Sequence, residues 1–107
     1  MPEPILHQID NTIHAKARLI IMATLVLNGA SSVKQLKDAS GLTDGNLGSH
    51  LRVLEDAGYI HIARTFAQRK PLSLCRVTPA GQAAFTQYLD VLEQVLAQTK
   101  SARPPHP

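Results

Sequence analysis

Between Thr43 and Ala57 the chain reads TDGNLGSHLRVLEDA, and its hydrogen-bonding groups recur at helical intervals. At about 100° per residue, Leu47, Leu51 and Leu54 share one face, so Gly45, Ser49, Arg52 and Asp56 point the other way, flanked by Asn46 and Val53. An amide, a guanidinium and two hydroxyls on one side of a rod are groups that read base edges and hold phosphates. Asn46 suits adenine, Arg52 suits guanine or phosphate, and Ser49 and Thr43 suit a phosphate or a base edge, while Gly45 lets the backbone come close. Thr43 has a competing use as a helix cap, which occupies its hydroxyl. Asp44 favours the positive end of the helix dipole and would otherwise repel phosphate, and Asp56 marks where contact fades. His50 lies at the edge between the two faces, a position for half-buried packing or a phosphate contact rather than for a metal.

A second set of groups follows. From Ala57 to Leu89 there is no acidic residue, whereas Arg64, Arg69, Lys70 and Arg76 give a local charge of +4. On its own such a cluster is a solvated turn; beside a base-reading helix it serves phosphate or the minor groove. Gln68, Arg69 and Lys70 are expected at the tip of a turn, with Arg64 on the strand beside it.

Local signals define the elements that must hold these groups. Ser32 followed by Gln35 is a capping box for a helix Val33 to Ala39, stopped by Ser40-Gly41, and Thr43 caps the next helix to about Ala57, where Gly58 stops it. That is a helix-turn-helix. Tyr59 to Phe66 and Leu72 to Val77 are strand-like runs separated by the polar turn Ala67 to Pro71, which makes a two-stranded hairpin. Upstream, Asp10 or Asn11 caps a first helix through Ile13, Ala17, Ile20, Ile21, Thr24 and Leu27, ended by Asn28-Gly29; its second half is apolar all round and belongs at the centre of the fold. Thr78-Pro79 opens a last helix to about Gln98. The expected organisation is therefore a loosely held arm over residues 1–8, one domain over 9–98 and a disordered tail over 99–107, where KSARPPHP is basic and proline-rich. On the last helix Phe85, Leu89, Leu92 and Leu96 form one apolar stripe and Ala84, Tyr88, Val91 and Val95 a second. One stripe can pack on the chain's own first helix. The second is expected to meet another copy, giving a homodimer.

The 107 residues, 44% hydrophobic and 18% charged with a formal charge of +3, describe a single domain able to bury a core. The longest apolar run, Leu19 to Leu27, is nine residues against the roughly 20 that a membrane span needs. Lys16 and Arg18 before that run and the small residues 28–32 after it resemble a signal peptide. Cleavage there would remove about 30 residues of core, which argues against that reading. A lone cysteine, Cys75, excludes an internal disulfide and fits a reducing cytoplasm. No nucleophile motif, phosphate-cradling glycine loop or useful carboxylate pair is present, so no enzymatic activity and no cofactor are expected.

The order of helix, helix-turn-helix, hairpin and helix is that of a winged-helix domain. Gly45 to Ile60, GNLGSHLRVLEDAGYI, resembles the recognition-helix signature of the small bacterial winged-helix regulators of the ArsR-like and MarR-like families, which carries a histidine where His50 stands. RLIIMATL, LTDGNLGSHLRVLEDAGYI and RVTPAGQAAF are similar to their compact single-domain subgroup, and the resemblance covers roughly Ile9 to Leu96. It implies a mainly α fold with a small β-hairpin (α+β), a winged helix-turn-helix with a C-terminal dimerisation helix. It further implies a cytoplasmic, homodimeric repressor that binds double-stranded DNA sequence-specifically. The alternative is a protein-interaction module on the same fold. An effector between the first and last helices fits the family, but no polar anchor names the molecule. Metal-sensing relatives carry Cys-x-Cys in the first helix of the helix-turn-helix or histidine ligands in the last helix. Here the first place reads VKQLKDAS and the second holds no histidine, and His7 with His14 lacks a third ligand. Cys75 is expected to be an inert thiol on the strand face opposite Arg76.

Overall fold

The computed structural model describes residues 3–102, in which seven elements follow one another: α1 (Lys16–Asn28), β1 (Ser31–Ser32), α2 (Val33–Ser40), α3 (Asp44–Asp56), β2 (Ile60–Ala67), β3 (Lys70–Val77) and α4 (Pro79–Ser101). The fold is α+β, a winged helix whose three-stranded antiparallel sheet has the order β1-β3-β2. Sequence predicts only two of those strands. The third, β1, pairs Ser31 with Cys75 and Ser32 with Leu74; two residues carry no periodicity of their own, and the ladder to β3 is what makes them a strand.

Helix α1 is the hub, burying Ile21, Met22 and Leu25, with α2, α3 and β3 all against it and Leu27 left exposed at its end. Its start is later than predicted. Asp10 Oδ1 accepts the N–H groups of Thr12 (2.8 Å) and Ile13 (3.3 Å), closing a separate turn, and α1 begins at Lys16 behind Ala15, which supplies no side-chain cap. Ile13 is thereby turned into the core. Upstream, Ile5–Gln8 form one 3-10 turn lying against α4, where the sequence reads an arm.

The other helix starts follow the local signals. Ser32 Oγ accepts from Gln35 N–H at 3.0 Å and Gln35 Oε1 accepts from Ser32 N–H at 2.7 Å, completing the capping box. Thr78 Oγ1 accepts from Gly81 N–H at 2.9 Å, with Pro79 in the first turn. Gly81 has no room for a side chain, since a Cβ there would sit 2.0 Å from the Tyr59 carbonyl oxygen. Helix α4 runs past Gln98 to Ser101, because no glycine or proline interrupts Thr99-Lys100-Ser101; of the predicted tail, residues 103–107 lie outside the described residues. At 23 residues α4 is about 35 Å long, and it helps draw the molecule out to 65 × 30 × 21 Å.

Both stripes of α4 send residues into the core, Phe85 (5% exposed) from the first and Tyr88 and Val91 from the second, so neither is wholly free. Tyr88 (1% exposed) and Val91 (0%) are buried within their own chain, so the Ala84, Tyr88, Val91, Val95 stripe is not, as expected, free for another copy. The Tyr88 hydroxyl lies 2.8 Å from His14 Nδ1 and its ring stacks beside Phe85 at 6.1 Å between centroids, contacts that draw this stripe inward. What remains outward is Leu89 (42%) and Leu96 (52%), with Leu92 and Val95 half-buried.

Candidate nucleic-acid interface

The α2–α3 turn is made by Gly41, whose φ of 69° is the left-handed cap conformation and whose N–H reaches Lys37 O at 2.9 Å. Thr43 then caps α3: its Oγ1 accepts from Asn46 N–H at 3.3 Å, so the hydroxyl's lone pair is engaged and its proton remains free to donate. Lys37 Nζ lies 3.0 Å from Asp44 Oδ1, drawing the one carboxylate of the α3 first turn into a surface pair. Such a pair contributes little stability, about 1 kcal/mol or less, but it offsets charge that would face a phosphate.

Leu47, Leu51 and Leu54 are buried, and Gly45, Asn46, Ser49, Arg52, Val53 and Asp56 are exposed, as the helical spacing requires. Ser49 Oγ donates to Gly45 O at 3.1 Å, which leaves its lone pairs outward. His50 is half-buried, and its neighbour is a residue that sequence reasoning missed. Arg18 Nη1 donates to His50 Nδ1 at 3.2 Å, while Arg18 Nε donates to Thr12 O at 2.6 Å and Nη2 to Asn11 O at 3.4 Å. A guanidinium cannot accept, so the neutral imidazole carries its proton on Nε2. One side chain of α1 thus joins the Asp10–Ile13 turn to α3. Tyr59 holds the same turn from the α3–β2 junction through a 2.6 Å hydrogen bond from its hydroxyl to Asp10 Oδ2, which, with burial and the nearby charge, pushes the phenol up to about 12.

The hairpin pairs Ile60 with Val77, Ile62 with Cys75, Arg64 with Ser73 and Phe66 with Pro71 on one face, and His61 with Arg76 through Ala67 with Lys70 on the other. Its turn is shorter than predicted. Only Gln68 (φ 52°) and Arg69 (φ 64°) form the tip, both in the left-handed region that matches strand twist, and Lys70 already belongs to β3. Arg64, Gln68, Arg69, Lys70 and Arg76 are all exposed. Arg64 and Ser73 line a groove of about 250 Å³ with Gly48, Arg52 and Glu55 of α3, so the hairpin and the outward side of the helix share one concave surface. Cys75 is buried, and burial, reinforced by Glu55 and opposed by Arg64, raises its pKa and disfavours the reactive thiolate. Among the described residues no group of three or more His, Cys, Asp or Glu side chains could hold a metal ion. No described helix is long and apolar enough to cross a membrane.

Residues 17–96 match the family model described as "Winged helix DNA-binding domain". The chain belongs to the winged helix DNA-binding domain family. A relative, an uncharacterised protein of Methanocaldococcus jannaschii, is 31% identical over 72 residues, covering 67% of this chain and 78% of that protein. Among solved structures, the fold is similar to a transcriptional regulator homologue from Pyrococcus horikoshii OT3 (28% identity, TM-score 0.80, 89% of this chain and 92% of that one). It is also similar to a MarR-family transcriptional regulator from Enterococcus faecalis V583 (29% identity, TM-score 0.66, 84% and 83%). At 20% identity the fold alone is shared with Bordetella bronchiseptica BpsR, whose DNA binding is regulated by 6-hydroxynicotinic acid (TM-score 0.68, 94% and 76%). In this winged-helix domain, as in those regulators, the architecture is that of a DNA-binding protein rather than an enzyme.

Proposed function

We propose that this chain is a cytoplasmic transcription regulator of the MarR-like type that binds duplex DNA sequence-specifically as a homodimer and represses by occluding a promoter. The observation that carries the reading is the shared surface of α3 and the hairpin. Asn46, Ser49 and Arg52 are exposed on a rod that fits the major groove, and Arg64, Gln68, Arg69 and Lys70 extend from a hairpin beside it that has no acidic residue. Thr43, Gly45 and His50 complete the contact set, with His50 oriented by Arg18. One domain with a handful of phosphate contacts binds weakly, and two domains on a twofold axis read two half-sites. Leu89, Leu92 and Leu96 along the exposed side of α4 are the surface we assign to that axis. An effector molecule fits the BpsR comparison.

The test is binding of the full chain to duplexes selected from a random library, measured between about 50 and 200 mM salt, with mass by sedimentation. Affinity should fall by orders of magnitude, with a log-log slope of about 0.9 per phosphate contacted, and the free protein should sediment as two chains. Undetectable or salt-independent binding at low ionic strength overturns the reading. If that result comes with a stable complex with another protein, the interaction-module alternative holds instead.

A further inference from the structure

Phe66 is 75% exposed, an aromatic ring that its own chain leaves uncovered. The strand register says which way it faces. Along β2 the inner face runs Ile60, Ile62, Arg64, Phe66, opposite Val77, Cys75, Ser73 and Pro71 of β3. The first two pairs close the core, the third lines the groove against α3, and the fourth, Phe66 with Pro71, lies one step further out on the same side, just before the Gln68-Arg69 tip. The hairpin therefore carries an apolar pair on its helix-facing side, with Arg64 one step before it on the same face and Arg69 in the tip just beyond.

The charge around that pair selects its partner. No acidic residue occurs from Ala57 to Leu89, and the carboxylate of the adjoining groove, Glu55, belongs to α3 and shares that groove with Arg52 and Arg64. The hairpin's own patch, apolar among cations, is therefore complementary to a surface that alternates negative charge with flat apolar stacks. Duplex DNA is that surface, with phosphates flanking the base stack. We propose that Phe66, backed by Pro71, is a wedge that enters the duplex at a base step beside the hairpin, while Arg64 and Arg69 hold the flanking phosphates. The inference rests on the DNA-binding reading above and adds to it a mode of recognition. The backbone that carries the ring is fixed by its ladder to β3, and proline at the cross-strand neighbour fixes φ there. A wedge unstacks the step it enters, so the preferred site should contain a flexible pyrimidine–purine step at the hairpin position.

The experiment uses the full chain and the duplexes it selects from a random library, with a fluorescent adenine analogue, brighter when unstacked, substituted in turn at each step of the segment the hairpin protects. The wild type should brighten one step. Phe66→Ala should abolish that brightening and weaken binding about 5- to 150-fold, with an unchanged melting temperature, and Phe66→Leu should fall between the two. Phe66→Ala that leaves both affinity and brightness as they were overturns the wedge. So does a variant that alters the sedimenting mass but not the brightness, which would give Phe66 to a second copy. A wild-type chain that selects no duplex at all overturns the DNA-binding reading itself, an outcome distinct from a bound duplex that never brightens.

Discussion

Gly81→Ala should destabilise this domain, against the usual effect of that change. Gly81 occupies the first turn of α4, where alanine ordinarily gains about 1 kcal/mol of helix propensity. Here the added Cβ would meet the Tyr59 carbonyl oxygen at 2.0 Å and its Cα at 2.9 Å, so the two backbones must part by about 1 Å simply to reach 3.0 Å. Neither atom is the end of a flexible side chain. The same carbonyl accepts from Thr78 N–H at 3.0 Å, so parting also weakens a bond worth about 1 kcal/mol. Overpacking of this kind costs about 1–3 kcal/mol, and the balance with propensity comes to about 1–3 kcal/mol of net loss. For a domain of this size that is a fall of roughly 4–8 °C in Tm for each kcal/mol. Gly48→Ala is the matched control: it lies mid-helix in α3 with nothing within 4 Å of the new Cβ, and should raise Tm. Thermal unfolding followed by circular dichroism reads both. If Gly81→Ala is neutral or stabilising, the close passage of α4 across Tyr59 is wrong.

Replacing Arg69 and Lys70 together with alanine should weaken binding evenly across DNA sequences and lower the salt slope by about 2, whereas Asn46→Ala should cost about 1–3 kcal/mol at the preferred site and relax its selectivity; two silent variants would refute the assignment. Arg18→Leu orphans Thr12 O and His50 Nδ1 and should cost about 1–3 kcal/mol in chemical denaturation, so an unchanged midpoint counts against the Arg18 link. Tyr59 should titrate near 12 in the folded state against 10.0 ordinarily, so its contribution is full below pH 10 and is lost as pH rises through about 12. Asp10→Asn should bring tyrosinate formation at Tyr59 down and flatten the alkaline limb of Tm against pH; an unmoved titration would refute the Asp10 contact.

The parts of the fold that were legible in the sequence are those set by neighbours a few residues away. The Ser32–Gln35 box, the Thr43 and Thr78 caps and the Leu47, Leu51, Leu54 face depend on helical geometry alone, and the exposed face of α3 follows from them. What sequence missed depends on distant partners. Ser31-Ser32 become a strand only because β3 lies alongside, and α1 starts late because Asp10 is engaged by its own turn and by Tyr59. The two stripes of α4 are equally apolar, and which of their residues turn inward is set by tertiary partners such as those of Tyr88, His14 and Phe85. Gln68 and Arg69 are not the Asn-Gly type of pair that announces a two-residue turn, so the tip looked longer than it is. Arg18 resembled any basic residue at a helix start; its three acceptors become neighbours only in the folded chain.

The chain leaves the sheet at Ser32 and returns to it at Ile60, and both departures are ladder neighbours of the same strand, β3. Helices α2 and α3 are thus one closed loop stapled at its two ends to a common beam. Turning α3 by itself would shear that beam, so a displacement of α4 that reached the sheet would carry α2, α3 and the hairpin together as one head. In the homodimer proposed above, control would then be exerted through the spacing between two intact heads rather than through the shape of either.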